Sequence, residues 1–367
     1  MADESAAPAP SALYARGVAE NRWEDDPAQR EATKWLDRIH HEFAQRRDAG
    51  LWKSIQLRIS PRPVRGLYLW GAVGRGKTFL TDLLLESLPD EKTLRLHFHR
   101  FMGRVHAELA KLEGKADPLE DVADHFAERA KLFCLDEFFV TDIGDAMILA
   151  GLLDGLFKRG VTLVTTSNIR PNLLYRDGLQ RAKFLPAIAL LERYCEVREL
   201  QSAQDFRLRA LTRTGTYLTP DDDSAEGAMS DMFERIAPGA RRTTNPVHVN
   251  GRDIPVRRRA DAIVWFDFAA LCEGPRAVSD YIELAQSYNT VLLSHVPQFT
   301  PLLENEARRF VNLVDEFYDH GVNLVLAADV SIADLYRGER LPAEFERTRS
   351  RLIEMQSQEY LAGAHRH

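Results

Sequence analysis

The residues whose types and spacing could do chemistry begin at Gly71. The run Gly71-Ala-Val-Gly-Arg-Gly-Lys-Thr78 fits the spacing G-x-x-x-x-G-K-[ST]. It stands between an apolar run that reads as a strand, Gly66–Gly71, and an apolar helical stretch, Lys77–Leu88. Glycines at such a turn let successive backbone N–H groups point inward, and the helix N-terminus adds the positive end of its dipole. A chain of phosphates is the ligand that suits both. Gly71, Ala72, Val73, Gly74, Arg75, Gly76, Lys77, Thr78 and Phe79 are therefore the expected cradle of a triphosphate, ATP. Lys77 would reach its β- and γ-phosphates, and the Thr78 hydroxyl would bind Mg²⁺. The bland alternative is a chance glycine turn, and the flanking strand and helix speak against it.

Two further elements carry matching chemistry. Lys131-Leu-Phe-Cys-Leu-Asp136-Glu137 is an apolar strand that ends in two acids. Buried carboxylates are costly unless they are paired or bind metal. Asp136 is expected to hold Mg²⁺ with Thr78, and Glu137 to activate a water as general base. An ordinary polar strand end is the competing reading. The next apolar run, Val161–Ser167, ends at Asn168, whose amide could orient that water or touch the γ-phosphate. A loop or capping Asn is the alternative there.

The elements that must position these residues follow from periodicity. Strands are expected at Gly66–Gly71, Thr93–His97, Leu132–Asp136, Val161–Ser167 and Cys195–Leu200. Helices are expected at Lys77–Leu88, Phe101–Glu113, Ile143–Lys158 and near Phe184–Arg193. Such alternation predicts an α/β fold, a P-loop NTPase with a parallel sheet and helices on both faces. Residues 1–14, rich in Ala, Pro and Ser, read as disordered, and 15–55 as a helical N-terminal region with Ala32, Trp35, Leu36, Ile39 and Phe43 on one face. Residues 56–205 form the ATPase core. Residues 206–260 read as a β-rich insertion or linker, in which Arg207–Tyr217 alternates like a hairpin strand. Residues 261–367 form a C-terminal α/β region, with strand-like runs Ile263–Phe268, Thr290–Val296 and Val322–Ala327 and a closing helix Phe345–Leu361.

Composition narrows the function classes. The 367 residues are 45% hydrophobic and carry a net charge of −7, a poor general match for nucleic acid, so no specific nucleic-acid partner is expected. Arg257–Arg259 reads as a solvated face. Cys134, Cys195 and Cys272 form no CxxC pair and read as buried free thiols of a reducing compartment. The start, MADESAAPAPSALYARG, lacks a basic n-region and an apolar h-region, and Ala146–Phe157, interrupted by Asp154, is too short to cross a bilayer. The expectation is a cytoplasmic protein, with peripheral inner-membrane contact left open.

Longer stretches resemble one family, the bacterial ZapE proteins and their mitochondrial relatives, the lactation-elevated-type AAA+ ATPases. GLYLWGAVGRGKTFLTDLL resembles its P-loop region, LHFHRFMGRVH its His-rich segment, and LFCLDEFFVTDIGDAMIL its acidic-strand motif. TSNIRPNLLYRDGLQRAKFLPAI is similar to its sensor-1 segment, and ARRFVNLVDEFYDHGVNL and FERTRSRLIEMQSQEYL to its C-terminal motifs. The resemblance implies an AAA+ core over residues 56–205 and ATP hydrolysis coupled to remodelling of a protein partner. For the bacterial branch the implied partner is the division protein FtsZ, whose polymers would be destabilised. For the mitochondrial branch the implied role is turnover of membrane-complex subunits. A nucleotide-dependent binding switch and a DNA-linked helicase loader are further readings; Glu137 and Asn168 favour turnover over a switch, and the acidic charge disfavours DNA.

AAA+ proteins place an arginine finger before the fifth strand, where this chain has Arg176 and Arg181; Arg181, in GLQR, is the expected finger. It would act in trans and implies a homo-oligomer when ATP is bound. A second, cis-acting arginine would come from among Arg207, Arg308, Arg309, Arg349 and Arg351. His97, His99 and His106 lack a zinc spacing. Phe101 and Met102 read either as a grip on a partner chain or as core residues.

Overall fold

The computed structural model describes residues 7–47, 61–89, 91–202, 205–238, 242–260, 262–363 and 365, and the statements below concern these residues. The chain divides into two compact units, Met1–Gln204 and Asp205–His367.

The first unit opens with helices α1 (Pro10–Ala19) and α2 (Pro27–Arg47). Then follow β1 (Gly66–Trp70), α3 (Lys77–Glu86), β2 (Thr93–His97), α4 (Phe98–Lys111), α5 (Pro118–Arg129), β3 (Leu132–Asp136), α6 (Ile143–Lys158), β4 (Thr162–Ser167), α7 (Arg181–Tyr194) and β5 (Cys195–Glu199). The five strands form one sheet in the order β2-β3-β4-β1-β5, with every neighbouring pair parallel. Their side chains alternate between two apolar layers, as a sheet covered on both faces requires. Leu67, Leu69, Leu132, Cys134 and Val164 pack with α1, α2 and α3. Tyr68, Phe133, Leu135 and Leu163 pack with α4, α5, α6 and α7.

The order matters more than the count. β4 is inserted between β1 and β3, with Leu67 opposite Val164 on one side and Cys134 opposite Val164 on the other. The C-terminal ends of β1, β4 and β3 are therefore neighbours, although in sequence they lie far apart. Ligands of open parallel sheets gather at such carboxyl ends.

The second unit repeats the principle. It contains α8 (Phe206–Thr214), β6 (Tyr217–Leu218), α9 (Asp223–Ile236), β7 (Val247–Val249), β8 (Arg252–Ile254), β9 (Arg258–Ala260), β10 (Ile263–Asp267), α10 (Val278–Ser287), β11 (Thr290–Val296), α11 (Glu304–Asp319), β12 (Asn323–Ala328), α12 (Pro342–Glu354) and α13 (Gln358–Ala362). A five-stranded sheet runs β6-β12-β11-β10-β9, parallel except where β9 meets β10, and β7 and β8 form a separate hairpin. Val264, Phe266, Val291 and Leu293 pack toward α10, α11 and α12; Trp265, Leu292 and Val325 pack toward α8 and α9.

Several expectations need correction. Disorder does not extend through residues 1–14: Pro10–Ala19 is helical and buries Leu13 and Tyr14, while residues 1–6 lie outside the described set. The helical N-terminal region is helical through Arg47, and the rest of its expected span, 48–55, lies outside the described residues. Segment 206–260 is not uniformly β-rich, for Phe206–Thr214 and Asp223–Ile236 are helices. The supposed strand over Arg207–Tyr217 is overruled by its caps: Asp205 accepts from Leu208 N–H, and Gly215, at φ 80°, ends the helix. Helix α5 had no counterpart, though Pro118 at its first turn, Glu120 and Asp121 behind it and Arg129 at its end are ordinary helix signals. The single closing helix is two, because Ser357 caps a new start at Tyr360 N–H. Phe101 and Met102 are core residues, 0% and 1% exposed, so they present no grip.

All three cysteines are buried and unbridged. Burial pushes the Cys195 thiol up to about 12 and raises Cys272 as well, so both stay protonated and unreactive. None of the described helices is long and apolar enough to cross a membrane.

Leu149, 0% exposed in the layer beneath α6, tests this packing. Leu149→Ala should lower stability by about 2–4 kcal/mol in urea titration, the cost of an unfilled core cavity.

Candidate functional site

The strand–helix junction at Gly71–Thr78 is shaped by three glycines with positive φ: Gly71 at 151°, Gly74 at 75° and Gly76 at 88°. Helix α3 starts at Lys77 without a side-chain cap, so its first-turn N–H groups are left to face the loop. Gly71 must be glycine for a second reason: a Cβ would approach the Leu200 carbonyl to 2.8 Å. Its own N–H donates to the Ser167 carbonyl at 3.2 Å, which ties the exit of β1 to the end of β4.

Lys77 is buried at 8% exposure, and its ammonium donates to the carbonyls of Gly71 at 2.7 Å and Ala72 at 2.8 Å. It also donates to Asn168 Oδ1 at 3.1 Å. A residue just past β4 and a residue at the start of α3, 91 positions apart, thus meet at one point. Thr78 stands next to Lys77 and is half-buried.

The acids lie at the neighbouring strand end. Asp136 is 2% exposed, and both of its oxygens are engaged. Thr166 Oγ1 donates to Oδ1 at 3.1 Å, and Arg95 Nε donates to Oδ2 at 3.0 Å. Each oxygen keeps a lone pair for a cation. Immediately after Asp136 the backbone turns: Glu137 has φ 56°. The turn is held by β4, since Thr166 Oγ1 accepts from Glu137 N–H at 3.1 Å and Ser167 Oγ donates to the Phe138 carbonyl at 2.8 Å. Glu137 points its carboxylate to within 3.6 Å of His97 Nδ1, on β2.

These groups fit a magnesium-bound triphosphate. An uncapped helix start with left-handed glycines offers N–H donors, a buried lysine offers charge, and a hydroxyl and a carboxylate offer hard oxygen ligands of the kind Mg²⁺ takes. Thr78 and Asp136 could hold the ion, and Gly71–Phe79 could cradle the phosphates.

The remaining candidates are placed as follows. Arg181 is half-buried at the start of α7 and donates to the Asn172 carbonyl at 2.7 Å, while Arg176 is exposed. Arg207, Arg308, Arg309, Arg349 and Arg351 all belong to the second unit and bond within it: Arg207 to the Leu361 carbonyl, Arg308 to Glu344, Arg309 to the Cys272 carbonyl, Arg349 to Glu346 and Arg351 to Asp315. His106 pairs with Asp145 at 2.6 Å, apart from the His97–His99 pair, whose rings lie 6.0 Å apart.

The sequence reading missed Arg95 and Asp82. Arg95 is a lone charge in the middle of β2, and it bridges Asp136 to Asp82 on α3. A single arginine inside the apolar run TLRLH, and an acid four residues past Thr78, were the available signals.

A model of the AFG1-like ATPase family matches residues 9–364. The chain is 44% identical to the cell division protein ZapE of Escherichia coli (strain K12), over 97% of this chain and 98% of that protein. It is 39% identical to lactation elevated protein 1 homolog B of Danio rerio, over 80% of this chain and 61% of that protein. A crystal structure of the DnaC helicase loader overlaps 52% of this chain and 99% of its own, at 14% identity and a TM-score of 0.36. With a parallel sheet that carries a lysine, an amide and two acids at adjoining strand ends, and a family match along nearly its whole length, the chain belongs to the AFG1-like ATPase family.

Proposed function

We propose that the protein hydrolyses ATP with Mg²⁺ at the ends of β1, β4 and β3, and that hydrolysis drives the remodelling of a protein partner. The observation that carries this reading is the meeting of Lys77 with Asn168 beside the Asp136–Glu137 turn. An ammonium on a flexible four-carbon stem can exchange the carbonyls of Gly71 and Ala72 for β- and γ-phosphate oxygens. Thr78 and Asp136 would hold the metal, which when bound would offset the charge of the phosphates. Glu137 takes the proton of the attacking water, and Asn168 orients that water or the γ-phosphate. Arg181 serves a neighbouring subunit, where its guanidinium meets charge developing on the transferred phosphoryl group.

The partner we favour is FtsZ, whose polymers would be destabilised during constriction. The near-complete overlap with a cell division protein supports this over a role in subunit turnover. A cytoplasmic location and an ATP-dependent homo-oligomer go with the reading.

Lys77→Ala should abolish measurable turnover and weaken ATP binding, read by phosphate release and by calorimetry. Glu137→Gln should keep ATP binding but slow kcat by roughly 10²–10⁴-fold; turnover at the parent rate would remove Glu137 as the base. Activity per subunit should rise with protein concentration and lose that dependence in Arg181→Ala. Light scattering by FtsZ polymers should fall when the protein and MgATP are added together. Unchanged scattering, from a preparation that hydrolyses ATP, would rule out the division role in this form.

A further inference from the structure

The N-terminal helices reach the phosphate loop. Gln29, in the first turn of α2 and 4% exposed, donates from its side-chain Nε2 to the Arg75 carbonyl at 3.0 Å. Gln29 is itself fixed, because its backbone N–H donates to Asp26 Oδ1 at 2.8 Å. The other oxygen of Asp26 accepts from Ser202 Oγ at 2.9 Å, on the segment that leaves β5. A buried chain of hydrogen bonds thus runs from the sheet, through Asp26 and Gln29, to one carbonyl of the loop. At the next residue a Cβ on Gly76 would come within 2.4 Å of the Gln29 amide nitrogen.

The geometry of a peptide unit says what this contact does. The Arg75 carbonyl and the Gly76 N–H belong to one planar, trans unit, so they point in opposite directions. Holding the carbonyl toward α2 turns the Gly76 N–H away from α2. A loop that cradles anions needs its N–H groups inward and its carbonyls outward. Gly76, at φ 88°, has no side chain to restrict the rotation of that plane. Without an external donor the plane could turn and present oxygen to a phosphate.

We propose that Gln29 is a positioning residue for nucleotide binding: it pins the Arg75 carbonyl outward and so pre-sets the Gly76 N–H as a phosphate donor. The proposal rests on the ATP site described above, and it deepens that reading by assigning the N-terminal helix pair a part in the affinity of the loop. It requires only a hydrogen-bond donor at position 29, with no charge and no contact to the base.

The test is ADP binding by the full-length protein, measured by calorimetry for the parent, Lys77→Ala, Gln29→Met and Gln29→Glu, with melting curves for each. Methionine keeps the length and loses the donor. Its Kd for ADP and its KM for ATP should rise about fivefold to tenfold, with kcat at saturation changed by less than about twofold. General damage to the fold would lower kcat by removing active molecules and leave KM in place. Glutamate keeps the shape, accepts when ionised and donates when protonated. Its Kd relative to the parent should be raised at pH 8 and should approach the parent value as pH falls toward the carboxyl pKa, near about 4.3 when unperturbed. That second variant decides the matter should Gln29→Met fail to fold. ADP affinity of Gln29→Met within about twofold of the parent, at a native melting temperature, overturns the proposal. A glutamate variant whose deficit does not shrink with falling pH overturns it too. The ATP-site reading fails separately, if Lys77→Ala binds ADP as the parent does.

Discussion

A buried ionic group must be answered by partners, and the first unit is arranged around meeting that condition at four places. Lys77, Asp136, Asp82 and Arg95 all lie in or near the interior at the carboxyl ends of the sheet. An unpaired charge there would cost several kcal/mol. Loop carbonyls and Asn168 answer the lysine; Thr166 and Arg95 answer Asp136. The answers come from the loop after β1, from β2 and from β4 with its exit. The sheet order with β4 in the middle is what makes these answers reachable, since β4 supplies Thr166 and Ser167 and leads directly into Asn168.

Much of this was legible in the sequence. The glycine-lysine turn has a spacing that few other structures need, and β2 and β3 were expected at their observed limits, Thr93–His97 and Leu132–Asp136. Apolar runs bounded by charge leave little latitude in a parallel sheet buried on both faces. What escaped notice depends on contacts between distant segments. Nothing local to Arg95 names Asp82 and Asp136 as its partners, and nothing local to Gln29 names a carbonyl 46 residues on. The His-rich segment left two readings open for a related reason: Phe101 and Met102 have the chemistry of a sticky surface and the spacing of a core, and burial alone separates the two.

The second unit shows how alternation can misdirect over short stretches. Residues 207–217 alternate polar with apolar over a few positions, yet an aspartate cap before them and a positive-φ glycine, Gly215, within them bound a helix over Phe206–Thr214. Once formed, that helix buries Ala210 and Leu211 in the same layer as Trp265 and Leu292. Tertiary burial and capping act together there, and a two-residue period over so short a run does not outweigh them.

Arg95 has a consequence for how the family's members can diverge. One guanidinium answers to two carboxylates, one on the helix that follows the phosphate loop and one at the end of the acidic strand. Replacing either acid with a neutral residue leaves the arginine in a balanced pair with the other; replacing the arginine leaves two anions in the interior with no cation between them. Of the three, position 95 is therefore the one whose neutral replacement takes the counter-charge from both of the others at once, so a change there cannot come alone without cost.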